Sequence, residues 1–230
     1  MPPSPQTVSH FFDSLTADYT AAIERCFPRY REMFWAIFEY LPERRFERIL
    51  ELGSGTGNLS VVIHEQFPDA HLTCVDCSGE SLDVCRERLG KGNIEIQLAD
   101  FRELEFPAET FDLITSSIAI HHLTSDEKQV LLQHCWSWLR PGGILTFADQ
   151  FRGETDDLYT RHIENWKAIS LAAGATEQEF AMWMEHQREH DHHDPLRDHF
   201  AWLSDAGFES IDCVWRYLLW GVVQARKPVS

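Results

Sequence analysis

The stretch Ile49-Leu50-Glu51-Leu52-Gly53-Ser54-Gly55-Thr56-Gly57-Asn58 decides the fold. A short apolar run enters it, three glycines at spacing two turn the chain, and a helical pattern leaves it. Glycine tolerates φ > 0 and lets backbone N–H groups approach a ligand with no Cβ in the way. A strand, a glycine turn and a helix N-terminus in that order build a nucleotide or nucleoside site. The dinucleotide fingerprint G-x-G-x-x-G fails here, because its third glycine would fall on Asn58. What stands instead is E-x-G-x-G-x-G, with an acid near the strand end.

Outward from that turn, the pattern predicts strands over 48–52, 72–76, 94–98, 111–116 and 144–148. Helices are expected over 58–67, 80–89 and 126–139. Thr124-x-x-Glu127 is a capping box for the third of these, and Pro141-Gly142-Gly143 is expected to end it. Strands alternating with helical patterns mean βαβ units and a parallel sheet. Two further helical patterns, about 156–173 and 177–189, interrupt the rhythm, and Thr176-x-x-Glu179 caps the second. A helix over 196–206 stops at Gly207. The β runs 208–215 and 218–225 are joined too closely for a crossover, so they pair antiparallel as a hairpin. Upstream, 11–41 is helical and rich in aromatics (Phe11, Phe12, Tyr19, Phe27, Tyr30, Phe34, Phe38), with breaks at Pro28 and Pro42. It reads as a helical cap on one side of the sheet or as a lid over the ligand. The expected organisation is a cap or lid over 1–45 and a ligand-binding domain over 46–230, with a helical insertion at about 151–195.

A chain of 230 residues suits one such domain. Lys plus Arg number 20 against 37 Asp plus Glu, a net charge of −17 that repels phosphate backbones and argues against nucleic acid. No apolar stretch approaches the ~20 residues of a spanning helix. Met1-Pro2-Pro3-Ser4-Pro5 lacks the basic and apolar regions of a secretory signal. A cytoplasmic monomer or homodimer with no membrane partner is expected. Cys74-x-x-Cys77 has the spacing of a redox or zinc half-site, but no second pair completes it. The six cysteines therefore read as buried, reduced thiols.

Candidate ligand contacts cluster at strand ends. Asp76 closes the second strand 19 residues after Gly57, placed to accept ribose hydroxyls, and Cys77 and Ser78 follow it. Asp100-Phe101 closes the third strand, where an aromatic can stack on a purine. The fourth leaves through Ser116-Ser117-Ile118-Ala119-Ile120-His121-His122, beyond the point where the winding of an open sheet reverses. His121 and His122 are candidate general bases; alternatively the pair caps or packs the next helix. In Glu185-His186-Gln187-Arg188-Glu189-His190-Asp191-His192-His193-Asp194, His186 and His190 share a helical face, a geometry that binds transition metals. The run also fits a solvated helix end before Pro195, or the lining of a substrate pocket to which Arg188 and His190 would belong. No metal ligand is assigned.

The glycine stretch, Asp76, Asp100-Phe101, the string Phe111-Asp112-Leu113-Ile114 with His121-His122-Leu123, and Leu139-Arg140-Pro141-Gly142-Gly143 together resemble the class I S-adenosylmethionine (SAM) methyltransferases over about 40–226. The resemblance implies a Rossmann-like α/β fold with a seven-stranded, mostly parallel sheet in the order 3-2-1-4-5-7-6. It implies SAM as cofactor, with the glycine loop holding the methionine half and Asp100 bonding the adenine amino group. The cofactor contacts it implies are Tyr19 (in the "FD…Y" segment), Glu51, Gly53, Ser54, Gly55, Asp76, Cys77, Ser78, Asp100, Phe101, Ser116 and Ser117. The activity it implies is methyl transfer to a small-molecule acceptor. A fainter likeness, in Tyr19…Pro28-x-Tyr30 and His199…Gly207-Phe208…Trp215…Lys227, is to the carboxy-SAM synthase branch, whose second-carboxylate arginine has Arg188 as its nearest candidate. Carboxy-SAM synthesis, or a metal-assisted SAM enzyme using the His186–His193 cluster, are the alternatives.

Overall fold

A computed structural model describes residues 26–229. The described residues form seven strands: β1 (Arg48–Leu52), β2 (His71–Asp76), β3 (Ile94–Leu98), β4 (Phe111–Ser117), β5 (Leu139–Gln150), β6 (Glu209–Tyr217) and β7 (Trp220–Arg226). The described helices are α1 (Tyr30–Glu39), α2 (Asn58–Gln66), α3 (Gly79–Leu89), α4 (Ser125–Trp138), α5 (Asp156–Ala172), α6 (Glu177–His190) and α7 (Leu196–Ala206). The strands form one sheet in the order β3-β2-β1-β4-β5-β7-β6. β1 to β5 run parallel, and β7 is antiparallel to both β5 and β6. The expected class I methyltransferase fold is the observed one.

Successive residues of a strand face opposite ways, and here both faces are apolar, as a sheet covered on both sides requires. Ile49, Leu72, Leu113 and Ile144 enter one core with α1 and α2; Leu50, Val75, Ile114 and Leu145 enter the other with α4 and α7. The inserted pair α5 and α6 joins the first core through an aromatic knot. Phe27 lies 5.2 Å from Trp183 and 5.5 Å from Trp220, ring centre to ring centre. Trp166 Nε1 and Ser170 Oγ both donate to the Cys26 carbonyl. The capping boxes at Thr124 and Thr176 both form.

Two expectations need correction. Pro141-Gly142-Gly143 does not separate a helix from a short strand. β5 already begins at Leu139, and the register against β4 jumps from Phe111↔Leu139 to Leu113↔Ile144, so the three residues bulge out of a long strand. The helix end at 186–194 is not a solvated one, since His186 is 6% exposed and the Asp191 side chain 3%. The chain there doubles back beneath the β4–α4 loop. His192 N–H donates to the His121 carbonyl at 2.7 Å, and Lys128 donates to the His192 carbonyl and to Asp194. Polar residues are buried at this point because partners from other elements meet them.

None of the six cysteines is in a disulfide, and Cys26, Cys74, Cys85 and Cys135 are buried. No helix among the described residues is long and apolar enough to cross a membrane. Tyr19 and the rest of the "FD…Y" segment lie outside the described residues.

Candidate active site

The glycine turn is built by backbone geometry. Gly53, Gly55 and Gly57 have φ of 74°, 50° and 83°, the left-handed region that side chains resist. Gly53 is also a contact point, since a Cβ there would lie 2.3 Å from the Ala119 Cβ. Asp76 fixes the turn from the next strand: one carboxylate oxygen accepts the Gly55 N–H at 2.8 Å and the other the Ser78 N–H at 2.9 Å. Burial pushes the Asp76 carboxyl up from its usual range, and these N–H groups oppose the shift. Ser78 N-caps α3, accepting from Ser81 N–H.

These elements enclose a cavity of about 100 Å³ at the carboxyl ends of β1, β2 and β4. Of the expected cofactor contacts, Glu51, Gly53, Ser54, Gly55, Asp76, Cys77, Asp100, Phe101 and Ser117 line it. Ser78 and Ser116 do not: Ser78 caps its helix, and Ser116 Oγ donates to the Leu52 carbonyl at 2.7 Å. Residues not anticipated as cofactor contacts also line it, among them Tyr30 and Phe34 of α1, Thr56, Asn58, Arg102 and Ile118. The aromatic periodicity of the first helices was the available signal for Tyr30 and Phe34. Arg102 was missed because its partner is Asp100, which it grips with two bonds of 2.8 and 3.0 Å. Ile118 carries φ of 54°, an outlier for a β-branched residue, and its N–H is held by the Ala148 carbonyl.

Glu51 is buried at the cavity floor, and burial raises its pKa to about 8. The hydroxyls of Ser54, Thr56 and Ser117 are buried and have no hydrogen-bond partner among the described residues. Buried polar atoms in that state call for a ligand or ordered water.

The two adjacent histidines part company. His122 lines the cavity, whereas His121 is buried behind it and faces a smaller pocket with Phe27, Ile118, Gln150, Trp166, Trp183, His186, Gln187 and Asp191. His121 Nδ1 meets Asp149 Oδ1 at 2.5 Å, and the other Asp149 oxygen accepts the His121 N–H at 2.9 Å. Burial works against the Asp149 charge, but His121 and the surrounding donors prevail and hold it below the usual carboxylate range. His190 stacks on His186, with ring centres 4.9 Å apart, and lines neither pocket. Arg188 is exposed and pairs with Glu185 and Glu189.

Comparison with known proteins gives the family. A family model described as a methyltransferase domain matches residues 49–143. The chain is 33% identical over 124 residues to a phosphoethanolamine N-methyltransferase of Plasmodium falciparum, covering 52% of this chain and 46% of that protein. It therefore spans about half the length of that relative. A ubiquinone/menaquinone biosynthesis C-methyltransferase of Escherichia fergusonii is 31% identical over 180 residues, covering 74% of this chain and 69% of that one. Among solved structures, phosphoethanolamine N-methyltransferase 2 of Haemonchus contortus, in complex with phosphomonomethylethanolamine and S-adenosylhomocysteine, superposes with a TM-score of 0.65. That match covers 90% of this chain and 57% of that one at 17% identity, a likeness of fold. The chain belongs to the class I SAM-dependent methyltransferases. Its cofactor is SAM.

The residues present fit that cofactor. The glycine cradle leaves open space above Gly55, where a Cβ would meet nothing within 4 Å. Asp76 offers carboxylate oxygens to a sugar, Phe101 an aromatic face to a base, and three hydroxyls stand ready for hydrogen bonds.

Proposed function

We propose that this methyltransferase acts on a small-molecule acceptor that reaches the methyl group from the side of Ile118 and His122. The observation that carries the reading is that Ile118, Ala119, His122 and Leu123, from the loop that leaves β4, line the same cavity as the cofactor contacts. The names of the two curated relatives point the same way, one giving phosphoethanolamine and the other ubiquinone and menaquinone biosynthesis. The net charge of −17 disfavours nucleic acid.

When bound, SAM supplies a methyl group on a sulfonium that is electrophilic without further activation. The chain's own part is then orientation and exclusion of water. In this reading Gly53, Gly55, Asp76 and Phe101 hold the nucleoside, and Glu51 faces the amino-acid end. Tyr30 and Phe34 belong to a covering lid formed by residues 1–45. His122 lines the cavity wall on the side from which the acceptor would approach. In this reading Arg188, exposed and paired with Glu185 and Glu189, stands outside the acceptor site, which weighs against carboxy-SAM synthesis.

The test is calorimetry with S-adenosylhomocysteine, followed by a screen of amine, hydroxyl, thiol and quinol acceptors read by S-adenosylhomocysteine release. Turnover on oligonucleotides or protein and on no small acceptor would defeat the proposal.

A further inference from the structure

The carboxylate of Asp191 is surrounded by imidazoles delivered from separate elements. Its Oδ1 lies 3.1 Å from His122 Nδ1, 3.6 Å from His121 Nε2 and 3.6 Å from His186 Nε2. The side chains of Asp191, His121 and His186 are 3 to 4% exposed, and that of His122 13%. One of the three contacts is short enough for a good hydrogen bond, and the other two are not.

The protons make the crowding sharper. Each oxygen of Asp149 already accepts a backbone N–H, from His121 at 2.9 Å and Gln150 at 2.8 Å, so this carboxylate acts as an ionised acceptor. It therefore takes the Nδ1–H of His121. The Nε2 of His121 then faces a carboxylate oxygen 3.6 Å away. A buried carboxylate among nitrogen atoms is held by charge pairing or by a coordinated metal.

Metal geometry favours the second. With metal–nitrogen and metal–oxygen bonds near 2.0–2.2 Å, the ligand atoms of a tetrahedral site stand roughly 3.3 Å apart. The three observed separations bracket that spacing. Nδ1 of a liganding histidine bonded to a carboxylate is also the usual supporting arrangement, because it fixes the tautomer that presents the other nitrogen. Asp191 is supported in turn by His193, whose Nε2 is 3.5 Å from Oδ2 and whose Nδ1 meets the Tyr159 hydroxyl at 2.7 Å. The Gln187 amide donates to that hydroxyl at 2.8 Å.

We propose that His121, His122 and Asp191 bind one divalent transition-metal ion, zinc in the first instance. Imidazole with a single carboxylate favours such metals over magnesium or calcium. The ligands differ from the His186/His190 pair that helical spacing singles out. His122 lines the cofactor cavity while His121, His186 and Asp191 line the adjoining pocket, so the ion stands in the wall between them.

The experiment uses the full chain with any affinity tag removed, stripped with chelator, loaded with Zn²⁺ and passed through gel filtration before metal analysis. One zinc per chain is expected, together with visible d–d bands of tetrahedral intensity when Co²⁺ replaces it. Asp191→Asn and His121→Gln should each weaken zinc binding by about 100-fold or more, and Asp149→Asn by about 10–100-fold. Affinity for S-adenosylhomocysteine, measured on metal-free wild type, Asp191→Asn and His121→Gln, reports whether each variant folds. Failure to retain zinc, cobalt or nickel would overturn the site, as would retention unchanged in a folded Asp191→Asn or His121→Gln variant. Wild type that holds metal but not S-adenosylhomocysteine would sink the cofactor assignment and leave the metal site standing.

Discussion

Replacing Glu51 with Gln isolates one buried proton. Glu51 ends β1 at 1% exposure, with the Cys74 thiol 3.7 Å from its Oε2 and no ion pair among the described residues. Burial raises its pKa to about 8 from an ordinary value of 4.5. The folded chain therefore keeps a proton that the unfolded chain releases between those two values. Where the folded state binds more protons, stability falls as pH rises, and the loss runs from about pH 4.5 to about pH 8. One pH unit of full difference is worth ~1.4 kcal/mol. Between pH 5.5 and 7.5 the folded carboxyl is still largely protonated, so wild type should lose ~2.5 kcal/mol on this account. Gln keeps the shape and hydrogen-bonding capacity without the titration. Urea unfolding of both proteins at the two pH values measures the difference of differences, in which every other titrating group cancels to first order. A gap between wild type and Glu51→Gln that stays constant within ~0.5 kcal/mol would refute the reasoning, because Glu51 would then ionise alike in both states.

Other consequences are equally direct. Asp76→Ala removes the acceptor of two loop N–H groups and of the ribose, so calorimetry should show S-adenosylhomocysteine affinity weakened by ~1–3 kcal/mol; an unchanged Kd would count against the ribose assignment. Gly53→Ala forces a Cβ to within 2.3 Å of Ala119 at a positive φ and should cost ~1–3 kcal/mol of stability. Adding Ala119→Gly should recover part of that, and no recovery would show that the contact is not the cause. Lys128→Met strands Asp194, whose carboxylate Lys128 contacts at 2.7 Å while itself 1% exposed, for a loss of ~3–5 kcal/mol in urea unfolding. The Lys128→Met, Asp194→Leu double variant should regain most of it; strictly additive losses would mean that the pair is not coupled.

Much of this protein was written in short windows of sequence. The period of apolar residues named the strands and helices, and the E-x-G-x-G-x-G spacing placed the cradle. Thr124 and Thr176 each cap a helix through a glutamate three residues on. The order of the strands came from the resemblance to the methyltransferases, and the closing hairpin from the short link between the last two β runs. These features depend on neighbours along the chain, where backbone dihedrals and local hydrogen bonds decide.

Tertiary structure alone decided which polar residues meet. Asp149 finds His121 from 28 residues away because β5 lies beside β4 in a particular register. Asp191 meets His121 and His122 because the chain after α6 doubles back beneath the β4–α4 loop, where Lys128 and Asp194 anchor it. Composition made 185–194 look like a solvated run, and its charge-bearing side chains suit water as well as they suit one another. Arg102, two residues along, took the carboxylate of Asp100, and only the turn at the end of β3 shows that the two side chains converge. Periodicity reports which face of an element is apolar; it holds no record of what a buried polar atom will encounter once separate elements pack.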